Sequence, residues 1–281
     1  MNNTKKDFAL LVHSCDRYEL LYKGFQFFFN KYWDLNVPCS YYFATEEKKI
    51  SIKNFENIHS GKGEWSDRLI ILLQKLPEDY IIYFQEDMWL NKSIDSSFFQ
   101  QLFDMIIENK WNQVKLHSSD VYKTESTNEF INGFNIAKLD NKQSKFLMSH
   151  QITVWNKQFL ISLLKTNEHP WRNERRATKR IRKINPEIIH IDYFAENGYK
   201  EINNNKSDIS RSCYYSISVN GILNERSEPF IQELIKESNE SDREYGLKLE
   251  HNFRNMLTHD GLQKPRKVDV FKRIKNWVQG K

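Results

Sequence analysis

The stretch Tyr80-Ile-Ile-Tyr-Phe-Gln-Glu-Asp87 joins five apolar residues to a polar end with two adjacent carboxylates. A short apolar run next to turn residues is typical of a buried strand, and Pro77 lies just before this one. Because successive side chains of a strand point to opposite sides, we expect Glu86 and Asp87 to face different groups. The stretch therefore predicts a buried strand that ends in an acidic turn.

The chain before this stretch alternates apolar runs with segments of helical spacing. Two runs read as strands, and two segments carry apolar residues every three or four positions, as amphipathic helices do. Ser66 is the predicted N-cap of the second helix. Strands separated by helices favour a mainly parallel sheet flanked by helices, so we predict an α/β fold. The strands are Phe8–His13 and Ser40–Ala44, and the helices are residues 18–32 and 66–76.

The chain after this stretch continues with helices and strands as far as residue 192, and from Glu228 onward it is charged and helical in pattern. A polar stretch, 118–144, receives no element. We place a domain boundary before Arg226, which gives a catalytic domain of residues 1–225 and a helical, basic extension of residues 226–281. The predicted elements are helices at 98–109 and 159–164 and strands at 113–117 and 188–192.

Ligands of such sheets bind beyond the carboxyl ends of the strands, so the residues just after each strand are the first candidates for chemistry. They are His13–Arg17, Thr45–Glu47 and Gln85–Asp87. The glycine motifs of dinucleotide-binding folds and of P-loops are absent. We therefore expect any phosphate to be held by side chains and a metal.

The acidic turn is the candidate metal site. Mg²⁺ and Mn²⁺ prefer oxygen ligands and commonly bind through one or two carboxylates together with substrate phosphates. Glu86 and Asp87 suit a nucleoside diphosphate held in this way. A solvated turn without a ligand is the alternative.

Composition and length place the chain among globular proteins. Of its 281 residues, 39% are hydrophobic and 28% are charged, so it is long enough to bury a sizeable core. The apolar runs are far shorter than a membrane span, and the N-terminus lacks the pattern of a signal peptide. Cys15, Cys39 and Cys213 are widely spaced, which disfavours a disulfide framework or a Cys-based zinc site. We therefore expect a cytoplasmic protein.

The net charge of +5 is concentrated in two segments. Residues 172–183 hold seven Lys or Arg and one acid, and residues 264–281 have the same content, so each segment carries 7 − 1 = +6. The rest of the chain carries 5 − 12 = −7. This distribution indicates two local anion-binding surfaces, or two solvated helix faces, on an acidic body.

Two groups of motifs resemble bacterial glycosyltransferases of the GT-A fold that build surface polysaccharides such as lipopolysaccharide and capsule. The first group is Gly63-Glu-Trp-Ser-Asp-Arg-Leu69 followed by Asp79-Tyr-Ile-Ile-Tyr-Phe-Gln-Glu-Asp-Met-Trp-Leu90. The second is Ser149-His-Gln-Ile-Thr-Val-Trp155 followed by Asn167-Glu-His-Pro-Trp-Arg-Asn-Glu174. The resemblance covers roughly residues 8 to 200.

The resemblance implies a GT-A-like sheet, a nucleotide-sugar donor and Mn²⁺ or Mg²⁺ held at an acidic motif. Gln85 stands where a strict Asp-x-Asp motif has Asp. Asp87 and Glu86 would hold the metal, with His190 as a further ligand or else a packed core histidine. The implied donor-binding residues are His13, Ser14, Asp16, Arg17, Thr45, Glu46, Trp65, Arg68 and Glu86.

Glu174 is the candidate general base. An inverting transfer needs a carboxylate that removes the proton of the acceptor hydroxyl, and the resemblance places Glu174 there, after Pro170-Trp171. The nearby Lys and Arg residues are expected to lower its pKa. The alternative is an acid that stabilises a helix N-terminus, with Asp120 as the replacement base.

Aromatic and amide side chains are the candidates for sugar contacts. Trp171 and Gln151 are assigned to the acceptor or sugar, because aromatic rings stack on the apolar faces of sugars. Trp155 lies in an apolar stretch that equally predicts core packing. Trp65 lies between polar residues, which disfavours the core.

We therefore predict a metal-assisted glycosyltransferase that acts on a glycan or lipid-linked acceptor. The alternatives are a metal-dependent nucleotidyltransferase and a non-enzymatic nucleic-acid-binding protein, although no nucleic-acid motif is present and no nucleic-acid partner is expected. Residues 264–281 read as a basic amphipathic helix. It is suited to an anionic membrane surface on the inner face of the cytoplasmic membrane, or to packing on the catalytic domain or a second subunit.

Overall fold

The computed structural model describes residues 7–263, so the helix predicted for residues 264–281 lies outside the described residues. The chain divides into two compact units between Ile217 and Ser218. The boundary predicted from the sequence, at 225/226, lies eight residues further along the chain.

The first unit is built around one large sheet. Along the sheet the strands follow the order β3-β2-β1-β4-β9-β6-β10-β11-β5, and the hairpin β7–β8 pairs with β10 through β8. The strands are β1 Phe8–His13, β2 Ser40–Thr45, β3 Glu56–His59, β4 Tyr80–Phe84, β5 Met88–Leu90, β6 Gln113–His117, β7 Thr124–Ile131, β8 Phe134–Leu139, β9 Thr153–Asn156, β10 Ile189–Glu196 and β11 Ser212–Ser216.

Most strands of this sheet run in one direction. Strands β1–β4, β6, β10 and β11 are parallel, whereas β9 is antiparallel to its neighbours β4 and β6. The α/β prediction of a mainly parallel sheet flanked by helices is thus confirmed. The carboxyl ends of β1, β2, β4 and β6 meet at one edge, together with the start of β9.

Helices cover both faces of the sheet, and β1 and β4 are therefore buried on both sides. Ala9, Leu11, Ile81 and Tyr83 pack in a core cluster with residues of α2, α4 and α5. The alternate residue Phe84 faces Phe29 of α1. The helices of this unit are α1 Tyr22–Tyr32, α2 Trp65–Lys75, α3 Ser96–Asn109, α4 Lys157–Leu163 and α5 Pro170–Ile184.

Two helix starts differ from the prediction. Helix α1 begins at Tyr22, because Asp16–Leu21 forms a 3₁₀ helix before it. Helix α2 begins at Trp65 with Glu64 at the N-cap, so Ser66 lies inside the helix. The Ser66 hydroxyl accepts a hydrogen bond from Glu168 N at 2.9 Å and thereby ties α2 to the segment before α5.

The polar stretch 118–144 forms a hairpin that the sequence did not predict. Most of β7 is exposed, so it lacks the alternation of apolar and polar residues that marks a half-buried strand. Strand β8 is buried and extends the sheet beside β10.

The second unit, described by itself, is a small hairpin with two helices. It contains β12 Ser218–Val219, β13 Ile222–Leu223, α6 Glu228–Ile235 and α7 Glu240–Arg254. A Cβ at Gly246 would come within 2.8 Å of Ile235 N, so glycine permits the close packing of α6 and α7. No helix within residues 7–263 is both long and apolar enough to cross a membrane.

Candidate active site at the carboxyl edge of the sheet

The loops after β1 and β2 are joined by two carboxylates. Asp16 accepts hydrogen bonds from the backbone N–H groups of Glu46, Glu47 and Lys48 at 2.9, 3.0 and 3.1 Å. Glu46 Oε2 accepts from Asp16 N at 2.9 Å. Thr45 is also occupied, since its hydroxyl donates to Lys48 O at 2.7 Å. These three predicted donor-binding residues therefore hold the rim of the site together.

Arg68 reaches from α2 to the end of β1. Its guanidinium donates to Ser14 O at 2.7 Å and lies 3.8 Å from Glu46 Oε1, while the residue is only 7% exposed. The Ser14 hydroxyl donates to Tyr22 OH. Arg17 lies at the outer rim, where its guanidinium stacks on the neighbouring Tyr18 ring. Arg68 is therefore a fixed, nearly buried positive charge beside the loops.

The acidic turn follows β4 as predicted. Met88 N donates to Gln85 O at 3.2 Å, which closes a tight turn around the two carboxylates. Glu86 is 4% exposed and Asp87 is partly buried. Burial, and then the Asp87 charge, raise the pKa of Glu86 above its ordinary value, and burial raises the pKa of Asp87 to about 7. A nearby cation would favour the charged forms of these two adjacent carboxyl groups and so lower their raised pKa values.

The acidic turn fits a metal that is shared with a substrate. No group of three His, Cys, Asp or Glu side chains within residues 7–263 could hold a metal ion by itself. Two carboxylates completed by phosphate oxygens are nevertheless a common way of binding Mg²⁺. The donor set of this turn is of that kind.

His190 does not fit the metal-ligand role. It is the second residue of β10 and is fully buried. Its Nε2 donates to His117 O at 2.9 Å, and its Nδ1 accepts from Asn203 Nδ2 at 2.7 Å. Both ring nitrogens are thus occupied, which leaves the packed core histidine as the interpretation.

Glu174 of α5 is hydrogen bonded to the loop before β9. Glu174 Oε1 accepts from His150 N at 3.1 Å. Since Thr153 of β9 pairs with Tyr83 of β4, the loop that holds Glu174 lies beside the end of the strand that Glu86 and Asp87 follow. The Gln151 amide is fixed in the same loop, because Tyr214 OH donates to its Oε1 at 2.8 Å.

The predicted effect on Glu174 is wrong in sign. Burial raises its pKa above the ordinary value, more than the hydrogen bond from His150 N and the charges of Lys115 and Arg175 lower it. Most of the other basic residues of α5 are exposed, and Arg180 pairs with Glu168 instead. A carboxylate with a raised pKa is better suited to accept a proton.

Lys115, Tyr122 and His117 form a buried chain that the sequence analysis missed. Lys115 Nζ donates to Tyr122 OH at 3.2 Å, and Tyr122 OH lies 2.7 Å from His117 Nε2. Burial lowers the pKa of Lys115 to about 7, although the Glu174 charge raises it. The available signal was the polar residues at 113, 115 and 117 of a central strand, which share one face.

Aromatic and histidine rings pack below the loops. The Trp65 ring lies 4.2 Å from the His150 ring and 5.6 Å from the His13 ring, between centroids. His13 Nδ1 lies 3.3 Å from Tyr83 OH. Trp65 therefore belongs to the core, contrary to the expectation, and burial lowers the pKa of His13 and of His150.

The two other tryptophans considered for sugar contacts, Trp155 and Trp171, differ in exposure. Trp155 is 1% exposed and packs in the core cluster. Trp171 is 53% exposed at the start of α5, next to the His169 ring. Among the tryptophans within residues 7–263, Trp171 is the exposed one.

Comparisons with known proteins found likenesses of structure. No family model matches the sequence, and no curated protein matches it either. Residues 1–349 of TarS from S. aureus superpose with a TM-score of 0.47 at 9% identity, over 97% of this chain and 78% of that one. The complex of that fragment with UDP-GlcNAc also gives a TM-score of 0.47, at 10% identity, over 97% of this chain and 79% of that one. A UDP-glucose pyrophosphorylase complexed with UDP-glucose gives a TM-score of 0.43, at 8% identity, over 66% of this chain and 90% of that one. Likenesses at this level assign no function.

Proposed function

We propose that this chain is a GT-A-like glycosyltransferase that uses a nucleotide-sugar donor. The observation that carries the proposal is the convergence of two kinds of carboxylate at one sheet edge. The pairing of Tyr83 with Thr153 sets the acidic turn beside the loop that holds Glu174. Glycosyl transfer needs both kinds of group: one site for the diphosphate and one base for the acceptor.

The acidic turn would bind the donor diphosphate. Asp87 and Glu86 would hold Mn²⁺ or Mg²⁺, which would supply Lewis-acid stabilisation of the leaving diphosphate. Arg68 adds a fixed positive charge beside the loops after β1 and β2, where the resemblance places the nucleoside. These side chains orient the donor.

Glu174 would remove the proton of the acceptor hydroxyl as that oxygen attacks the anomeric carbon. The hydrogen bond from His150 N holds one carboxylate oxygen, so the other remains to accept a proton. Lys115 lies close enough for its charge to act on Glu174. It would stabilise the carboxylate before the transfer.

The acceptor would be a glycan or a lipid-linked glycan of a surface polysaccharide. A lipid-linked acceptor would place the protein at the inner face of the cytoplasmic membrane. This part of the proposal rests on the resemblance and on the basic amphipathic pattern of residues 264–281.

A donor screen followed by product analysis tests the proposal. The thermal midpoint of the protein should rise with one nucleotide sugar, and rise further when Mn²⁺ is added. A glycosyltransferase releases a nucleoside diphosphate from that donor. Release of pyrophosphate from a nucleoside triphosphate and a sugar phosphate would instead identify a nucleotidyltransferase. No shift with any nucleotide sugar would remove the proposal.

A further inference from the structure

Helix α5 presents a row of cations to solvent. The exposed residues Arg172, Arg175, Arg176, Lys179 and Lys183 fall within about 100° of the helix circumference, at 100° per residue. We call these five residues the α5 stripe. Lys183 lies about 16 Å from Arg172 along the axis, at 1.5 Å per residue.

The charge of the α5 stripe is largely uncompensated. Within residues 7–263, the one ion pair found for it joins Arg176 to Glu168 at 3.7 Å. Other basic residues of α5 have structural partners: Arg180 pairs with Glu168, and Arg182 donates to two backbone carbonyl oxygens. Because like charges three or four residues apart destabilise a helix, the stripe is a costly arrangement that an anion would relieve.

We propose that the α5 stripe binds an anionic glycan chain, whose phosphate, sulfate or carboxylate groups repeat along the polymer. A single extended chain matches a row of charges one helix wide and about 16 Å long. Trp171 adds an exposed ring at the N-terminal end of α5, where a sugar face would stack.

Two features disfavour other polyanions. An amphipathic helix binds a bilayer through an apolar face, but Ala177 and Ile181 of α5 are buried in the core cluster. A nucleic-acid duplex is wide enough to extend beyond the α5 stripe. The rest of the chain outside the two basic segments carries a net charge of −7, which repels the duplex. A thin, flexible glycan contacts the stripe alone.

The proposed glycan site goes beyond the transfer reaction. Glu174 projects from the opposite side of α5, about 160–200° around the helix from most of the stripe. The stripe would therefore hold a polymer outside the site and does not depend on Glu174 being the base.

A binding comparison at full chain length tests the glycan site. The stripe variant Arg172→Gln/Lys179→Gln/Lys183→Gln removes three exposed charges and leaves Arg175, next to Glu174, unchanged. The control variant Lys49→Gln/Lys53→Gln/Lys110→Gln removes three exposed charges elsewhere, so both variants have the same net charge. Dextran sulfate and uncharged dextran are the probes, in about 0.1 M salt, where distant charges are largely screened.

We expect the stripe variant to bind dextran sulfate about tenfold more weakly, because exposed ion pairs are worth little singly and three are lost. The control variant should bind as the parent does, and none should bind uncharged dextran. Equal weakening of both variants, or of neither, would overturn the proposal. So would tighter stripe-dependent binding to a DNA duplex or to phosphatidylglycerol vesicles.

Discussion

At the scale of single residues, Asp87 is expected to couple donor binding to pH. Its folded pKa of about 7 lies above that of an unfolded Asp, so the cation-binding charged form is lost as pH falls through about 7. Affinity for a nucleoside diphosphate with Mn²⁺ should therefore drop between pH 8 and pH 6. Isothermal titration of the parent and of Asp87→Asn measures this, and the variant should bind weakly at both pH values.

The same shift predicts an effect on stability with the opposite pH dependence. A raised carboxyl pKa stabilises the fold at low pH, and this contribution is lost as pH rises through the folded value. Without metal, Asp87→Asn should remove the contribution of Asp87, which lowers the unfolding free energy as pH rises from about 4 to about 7. Asp104→Asn, an exposed acid on α3, serves as the control. A parent and Asp87→Asn with the same pH profile would remove Asp87 from this role.

Glu174 should govern the rate of transfer and not the binding of the donor. Glu174→Gln keeps the shape of the side chain and an acceptor for His150 N but loses the base, so kcat should fall roughly 10²–10⁴-fold. The donor Kd should change little. Near-normal kcat would exclude Glu174 as the base, and Asp120→Asn would then be measured next.

Lys115 should show opposite effects on stability and on activity. A fully buried amine with a lowered pKa costs stability as pH falls from its unfolded value, above 10, to about 7. In urea unfolding at pH 7, Lys115→Met should therefore be at least as stable as the parent. Its kcat should nevertheless be lower, because Glu174 loses a nearby positive charge.

Lys157 provides the matched control for Lys115. It is also a buried lysine, but its Nζ donates to Leu76 O at 2.7 Å, at the opposite edge of the sheet. Lys157→Met leaves that carbonyl without its donor, which should cost about 1–3 kcal/mol of stability with kcat unchanged. Equal losses of kcat in the two variants would make Lys115 merely structural.

At the scale of elements, the segment before α5 is fixed to α2 and α5 by one residue, Glu168. Glu168 is 1% exposed and accepts from Arg180 at 3.1 and 2.7 Å and from Asn173 at 2.7 Å. Although burial raises the pKa of Glu168, these hydrogen bonds lower it below the ordinary value. The backbone of Glu168 also exchanges hydrogen bonds with Ser66. The pair therefore sets where α5 begins, and with it the position of Glu174.

Breaking this pair should cost much more than breaking an exposed one. Glu168→Gln leaves the partly buried Arg180 without its counter-ion, which should cost up to about 3–5 kcal/mol, the value for breaking a buried pair. Glu187→Gln removes the exposed pair with Lys138 and should cost about 0–1 kcal/mol. Urea unfolding monitored by circular dichroism compares them, and equal costs would contradict the assigned role of Glu168.

The elements that the sequence predicts correctly are those with strong apolar patterns. The strands around Tyr80–Phe84 and Phe8–His13 and the acidic turn follow from local periodicity. The hairpin β7–β8 was missed because its outer strand is exposed. The Glu174 pKa was predicted with the wrong sign, because sequence neighbours on a helix project in different directions. The chain of Lys115, Tyr122 and His117 depends on contacts between segments that no single run of residues reveals.

At the scale of the whole molecule, the first unit buries several histidines in neutral form. His13, His117, His150 and His190 are buried, and burial lowers the pKa of each, to about 3 for His150 and about 4 for His190. Below about pH 6.5 these histidines bind protons in the unfolded chain, whereas in the folded chain they stay neutral until the pH reaches their lowered pKa values. Stability is therefore lost as pH falls from about 6.5 towards these folded values. The carboxyl groups of Glu86, Asp87, Glu174 and Asp192, whose pKa values burial raises, contribute in the opposite direction.

The histidine contribution to the stability of the parent should fall on acidification, and removing one buried histidine should make that contribution smaller. For His190→Gln, the slope of the unfolding free energy against pH between pH 4.5 and pH 6.5 should be lower than that of the parent by up to about 1.4 kcal/mol per pH unit, the value of one proton. His169→Gln, at an exposed position, should keep the parent slope. Urea midpoints across this range measure the effect. Identical slopes in all three proteins would mean that the buried histidines do not control acid unfolding.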